Sequence, residues 1–167
     1  EENDQPLIDL LNSHKKKFFL VEEFFKNLNP DQTYDWLLNL WGNYIFKDKF
    51  LKKIKHTLNI HPSFLPYAKG KDSIVWTIKN NFPAGATLHE ISKDIDSGEI
   101  YYQKELEYEY PIKGFELYER VQNLSIQIFI NEWPSIKISP VKYKSKLEKH
   151  EIYKRAALIK DQTKNFD

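Results

Sequence analysis

The stretch that decides the fold is residues 57–81, TLNIHPSFLPYAKGKDSIVWTIKNN. Residues 57–60 read as a strand that runs into His61-Pro62. Successive strand side chains point to opposite faces, so Asn59 and His61 share one. Pro62 brings no N–H to a ladder and stops regular pairing there. Asparagine is a poor strand residue, so its position asks for a reason. One reason is that both residues cap the turn into Ser63-Phe64-Leu65-Pro66. Another is chemistry, because open α/β sheets bind ligands outside the carboxyl ends of their strands. Beyond the loop, residues 71–80 place Ile74, Val75 and Ile78 on one helical face.

Upstream, residues 34–41, YDWLLNLW, form a near-continuous apolar run of strand length. Such a run suits a strand buried on both faces of a parallel sheet. Gly42 and Asn43 break it, and KDKFLKKIK at 47–55 predicts a short basic helix. NPDQ at 29–32 is turn chemistry. KKKFFLVEEFF at 15–25 suggests a strand entering a turn, and residues 5–14 carry a short helical pattern. Downstream, Gly85 opens a strand over ATLHEIS, DIDSGE turns, and IYYQKELEY at 100–108 follows as a second strand. That pair is expected to form an antiparallel or irregular edge. Residues 113–132 predict a long amphipathic helix with Phe115, Tyr118, Val121, Leu124 and Ile128 as its stripe.

Strands alternating with helices predict an α/β protein, a mostly parallel sheet flanked by helices. No glycine precedes Gly42, so the glycine-rich first turn of a dinucleotide-binding fold is absent from this sequence. Either the fold binds no dinucleotide or its first strand and helix are missing, and both are expected. Residues 1–139 read as an N-terminally incomplete core. Residues 140–167 read as a basic tail that wraps the surface or links to a further segment.

Composition narrows the function class. The 167 residues suffice for one domain with a core. A net charge of +1 gives no strong field for nucleic acid or an anionic membrane. With no cysteine there is no disulfide framework and no thiolate metal site, which fits a reducing, cytoplasmic setting. No apolar run approaches a membrane span, and no stretch has the form of a signal peptide. The sequence begins with Glu1 and contains no methionine, which points to an excised piece or to missing residues.

A second cluster, HEISKDIDSGEI at 89–100, sets Asp94 and Asp96 before Ser97-Gly98. Alone it reads as a solvated turn. Together and in this order, residues 59–81 and GATLHEISKDIDSGEIYYQ at 85–103 resemble the core of the folate-dependent formyltransferases. The likeness lies in Asn59-x-His61, Ser63-Phe64-Leu65-Pro66, Gly70, Gly85-Ala86-Thr87-Leu88-His89 and Asp96-Ser97-Gly98. It is close over residues 57–103 and weak before residue 34 and in the tail. Phe64 departs from the family's usual leucine.

The resemblance implies a Rossmann-like fold, a 10-formyltetrahydrofolate co-substrate and a reacting set of Asn59, His61 and Asp96. Formyl transfer to an amine passes through a tetrahedral oxyanion, which an amide donor such as Asn59 stabilises. A histidine suits the proton transfers, as base or as charged oxyanion partner. Asp96 would hold His61 or order a water. No metal is required. The family's pterin loop corresponds to Trp41, Gly42, Asn43, Tyr44, Ile45 and Phe46, faced by the loop that contains Ile91 and Asp94. His14, His56 and His150 are expected at the surface, and His89 as a packing residue. Among acceptors, the resemblance favours a nucleotide-linked amino deoxysugar. Lys69 and Lys71, which flank Gly70 just beyond the strand end, either meet a diphosphate or are solvated loop lysines. Glycinamide ribonucleotide and methionyl-tRNA are the alternatives, with hydrolysis of the donor another. A non-catalytic relative or an incomplete fragment is the reading from a different class. No nucleic acid or membrane is expected as a partner, and a homodimer is compatible with the reading.

Overall fold

The computed structural model describes residues 13, 15, 21–26, 29, 31–40, 42, 44–145 and 152–154. The chain divides into two compact units, Glu1–Thr33 and Tyr34–Asp167. In the first, helix α1 spans Val21–Lys26. Over 21–25 this replaces the strand expected for 15–25, in keeping with Glu23 and Lys26, which are straight-chain helix formers; residues 16–20 lie outside the described residues. The helical pattern over 5–14 lies outside the described residues except for Ser13.

The second unit holds a four-stranded sheet. Its strands are β1 (Tyr34–Asn39), β2 (Ile54–His61), β4 (Ala84–His89) and β5 (Ile100–Leu106), in the order β1-β2-β4-β5. Strand β3 (Lys69–Gly70) pairs in parallel with β6 (Ile152–Tyr153). Strands β1 and β2 are parallel, joined through the short helix α2 (Asp48–Leu51). Strand β4 is antiparallel to both β2 and β5. The sheet is therefore mixed rather than mostly parallel among the described strands. The antiparallel β4–β5 edge read from the sequence is present, because its short connection leaves no room for a crossover.

One element is shorter than expected and one longer. The basic helix covers only Asp48–Leu51, and β2 begins at Ile54, so Ile54 and His56 become strand residues. His56 is half-buried and packs on the Trp36 ring at 4.9 Å. His14 and His150 lie outside the described residues. Strand β1 is half-buried, with Asp35 exposed, so it is not the doubly buried strand its apolar run implied. That description belongs to β4, every residue of which is buried.

Helix α3 (Ser73–Asn80) buries Ile74, Trp76 and Thr77, while Val75 faces outward. Helix α4 runs over Gly114–Ile138, past the expected end and through Pro134. Its buried stripe is Leu117, Val121, Leu124, Ser125, Ile128 and Ile136. Phe115 is 72% exposed and Tyr118 42%, so the stripe lies out of phase with those two rings. Leu124, Ile128 and Ile136 close over Leu58, Ile60, Ala86, Leu88 and Tyr101 of the sheet. Leu117 and Val121 pack with Ile74 and Ala84 in a second cluster. This core fixes the carboxyl end of β2 from below.

Candidate active site

The strand register builds the site as a row. Asn39 at the end of β1 lies opposite Asn59, and Asn59 lies opposite His89 at the end of β4. The Asn39 amide donates to Asn59 Oδ1 at 2.8 Å and to the Gly42 carbonyl at 3.1 Å. Asn59 Nδ2 meets His89 Nε2 at 2.9 Å. His89 Nδ1 meets the Glu90 carbonyl at 2.8 Å. A carbonyl only accepts, so Nδ1 carries the proton and Nε2 offers a lone pair to Asn59. His89 is 2% exposed. Burial drives its pKa from 6.5 down to about 4, against the pull of the Asp96 carboxylate. The 3.6 Å approach of His89 Nε2 to Asp96 Oδ1 is thus a contact with a neutral ring, not an ion pair at neutral pH.

His61 stands two residues beyond Asn59, on the same face of β2 and almost fully buried. Its Nε2 donates to the Ala68 carbonyl at 3.1 Å. Its Nδ1 faces Asp96 Oδ2 at 3.4 Å. The same Asp96 oxygen accepts the Gly70 N–H at 2.8 Å. Asp96 adopts a left-handed backbone, φ 47°, which a short polar side chain tolerates better than most. Strained backbone of this kind gathers at functional sites.

The loop that carries Asp96 is anchored at its base. Thr57 Oγ1 accepts the Ile91 N–H at 2.9 Å and donates to the Ile91 carbonyl at 3.3 Å. At Gly98 a Cβ would overlap the Glu90 carbonyl oxygen, so only glycine lets the loop close back on its start. Thr87 performs the same service on the facing loop: its hydroxyl donates to the Ser63 carbonyl at 2.8 Å and accepts the Leu65 N–H at 3.1 Å.

Asn59, His61 and Asp96 line one cavity of about 510 Å³. Gly42, Tyr44, Ile45 and Phe46 also line it, as do Ile91 to Asp96. Ile45 is 73% exposed, and Tyr44 and Ile95 are also exposed. Apolar side chains left open around a polar floor are the usual lining of a site for a largely apolar ligand. Trp41 and Asn43 lie outside the described residues.

The two lysines diverge. Lys71 lines the cavity, whereas Lys69 is buried in β3 and donates to Ser97 Oγ at 3.0 Å. Ile152 and Tyr153 of strand β6, with Lys154 after them, also line the cavity. Tyr153 also packs against the Trp76 ring at 4.4 Å. Sequence reading misses Asn39 and this distant strand, and it assigns His89 to packing alone. The available signal for Asn39 is a polar residue interrupting an apolar strand near its end. Among the described residues no cluster of side chains suits a metal ion, and no helix is long and apolar enough to cross a membrane.

A mixed α/β sheet whose strand ends present Asn-x-His against a left-handed aspartate defines a class. The chain matches the formyl transferase family over residues 23–132, well over half its length, and belongs to that family. It is similar to the GDP-perosamine N-formyltransferase of Brucella melitensis, 30% identical over 100 residues, which covers 59% of this chain and 37% of that protein. It is also similar to the methionyl-tRNA formyltransferase of Thermotoga neapolitana, 29% identical over 157 residues, covering 93% of this chain and 44% of that protein. The chain thus spans less than half the length of either relative. Its fold is that of the formyltransferase PseJ from Anoxybacillus kamchatkensis, solved with a formamido-sugar nucleotide and tetrahydrofolate. The TM-score is 0.72 at 23% identity, with 95% of this chain and 85% of that one covered.

Proposed function

We propose that this chain carries the reacting core of an enzyme that moves a formyl group from 10-formyltetrahydrofolate to the amine of a nucleotide-linked amino deoxysugar. The observation that supports it most is the convergence of Asn59, His61 and Asp96 on one cavity. The neutral amine attacks the formyl carbon, and the carbonyl oxygen becomes an oxyanion. One N–H of Asn59 is committed to His89; the other is free to donate to that oxygen. His61 Nδ1, its neighbour Nε2 already protonated toward Ala68, accepts the proton released by the amine. Asp96 Oδ2 steadies the imidazolium so formed. The bond from the formyl carbon to the folate nitrogen then breaks, and that nitrogen takes the proton from His61. No metal enters the scheme.

The donor's ring system is assigned to the slot between Gly42–Phe46 and Ile91–Asp94, with Trp41 and Asn43 in the same loop. Lys71 on the rim is the residue offered to the acceptor's diphosphate; Lys69, engaged by Ser97, would act on the loop instead. Residues 1–139 are read as the core, and 140–167 as a tail that folds back on it through Tyr143 and β6. The absence of cysteine supports a cytoplasmic site of action, and a homodimer is compatible. A second reading, formylation of methionyl-tRNA, is favoured by the breadth of the Thermotoga match. The near-neutral charge weighs against it, since gripping tRNA phosphates calls for a basic surface.

Competition decides between them. The same donor is offered with a thymidine-diphosphate amino sugar, charged tRNA and glycinamide ribonucleotide. Formylated sugar nucleotide is the expected product. Formylation of tRNA or of the ribonucleotide alone would overturn the acceptor assignment, and folate release without any amine would point to a hydrolase.

A further inference from the structure

We propose that Asn39 is a positioning residue that sets which end of the Asn59 amide faces the cavity. This rests on the reading of Asn59 as the oxyanion donor and extends it to a residue that does not touch the reacting atoms.

Hydrogen-bond direction fixes the orientation. An asparagine amide has two donors on nitrogen and none on oxygen. Both Asn39 donors are committed, to Asn59 Oδ1 at 2.8 Å and to the Gly42 carbonyl at 3.1 Å. Two acceptors around one terminus leave Asn39 a single orientation, because its oxygen in that place would face both. Asn59 must then turn its oxygen toward β1 and its NH2 away from it. On the far side His89 Nε2 receives one of the Asn59 protons at 2.9 Å. The relay ends where His89 Nδ1 donates to the Glu90 carbonyl. All its bonds run one way, from β1 across β2 to β4, along a single row of the sheet. Reversing Asn59 alone would set NH2 against NH2 and oxygen against a ring lone pair. The remaining Asn59 N–H has no partner among the described residues, and Asn59 lines the cavity.

Gly42 belongs to the same device. A Cβ there would overlap Asn39 Oδ1, so glycine both supplies the anchoring carbonyl and leaves the side chain its room. A polar residue at the end of an apolar strand, unfavourable for a strand in itself, acquires a purpose.

The test pairs two substitutions at residue 39 with one at residue 59. Asn39→Asp keeps the size but sets an acceptor against Asn59 Oδ1, which drives the Asn59 amide to reverse. Asn39→Leu removes the lock without forcing reversal. Asn39→Asp is expected to lower kcat by at least about tenfold, a smaller loss than the ~100-fold that follows removal of an oxyanion donor. KM for the donor should stay within about twofold, and Asn39→Leu should lose less. In an Asn59→Ala background, Asn39→Asp should cost nothing further, because residues that act through one another are not additive. In the ligand-free protein, the side-chain amide resonances of Asn59, identified by their loss in Asn59→Ala, should shift in Asn39→Asp. Wild-type turnover in Asn39→Asp, or a full additive loss on top of Asn59→Ala, overturns the inference. If Asn39→Asp fails to fold, additivity is measured with Asn39→Leu instead: no further loss in the Asn59→Ala background supports the inference, and a full additive loss overturns it. Unchanged activity in Asn59→Ala alone would instead sink the underlying reading of Asn59.

Discussion

His61 is held between two fixed acceptors: its Nε2 lies 3.1 Å from the Ala68 carbonyl and its Nδ1 3.4 Å from Asp96 Oδ2. With Nε2–H donated to Ala68, Nδ1 faces the carboxylate and can donate to it only once it has taken up a proton. Asp96→Asn keeps the shape and removes the charge that steadies a proton on Nδ1. We expect kcat to fall by about 100-fold or more, the scale of a general acid–base contribution. Donor affinity should change little, because the Gly70 N–H can still bond to the amide oxygen. Steady-state kinetics with donor titration checks it; equal losses in kcat and affinity would argue against the proton role.

Gly98 reports on the loop rather than on the chemistry. The Cβ of Gly98→Ala would overlap the Glu90 carbonyl, which is backbone and cannot swing aside. The turn from Asp96 to Gly98 must shift, and with it the carboxylate. Activity is expected to drop by at least about tenfold, since an ångström of misplacement costs up to about 100-fold. A variant with full activity would show that Asp96 need not sit where this turn puts it.

Thr57→Val is nearly isosteric and removes the anchor of the Ile91 backbone. It leaves the Ile91 N–H without the 2.9 Å acceptor it has now, at a position where Thr57 is only 6% exposed. The cost should be about 1–3 kcal/mol, the penalty for a buried donor left unmade. Chemical denaturation measures it. Donor affinity should fall as well, because Ile91 lines the cavity. Unchanged stability would mean that Thr57 does not hold the loop.

The buried His89 makes stability depend on pH. Its folded pKa of about 4 lies below the 6.5 of the unfolded chain. Between those values the unfolded state binds more protons, so stability rises with pH and is lost as pH falls from 6.5 toward 4. A depression of that size corresponds to a loss on the order of 3 kcal/mol across the window. Denaturation at pH 7 and at pH 4.5 should show most of this in the wild type and much less in His89→Gln. A wild-type profile as flat as the variant's would contradict the neutral, buried ring.

The shared face of Asn59 and His61 at a strand end is legible in the sequence because it needs only local rules. Period two puts Asn59 and His61 on one face, and Pro62 ends the strand beside them. Asp96 is legible only through resemblance, since nothing local distinguishes its turn from a solvated one. The rest depends on tertiary partners. Lys69 and Lys71 look alike around Gly70, yet β6 arrives from far along the chain and covers the strand that holds Lys69. Phe115 and Tyr118 are apolar enough to belong to a core, but the phase of α4 is set by Leu117, Val121 and Leu124 against the sheet. Asn39 reads as the end of an apolar run. Its partner Asn59 is twenty residues away, and only the β1–β2 register brings them together.

A proton-moving His61 in a cavity that holds the folate donor has a direct consequence for transfer and binding alike. The direct measurement is paired on one preparation of wild type and one of His61→Ala. Formylated sugar nucleotide is quantified by mass, and the stabilisation of each protein by 5-formyltetrahydrofolate is followed by thermal unfolding, because a ligand that binds only the folded state raises the melting temperature. Formyl transfer is expected in the wild type alone, with a similar thermal shift in both proteins. Transfer at near wild-type rate in His61→Ala, or no thermal shift in the wild type at millimolar folate, would contradict the claim.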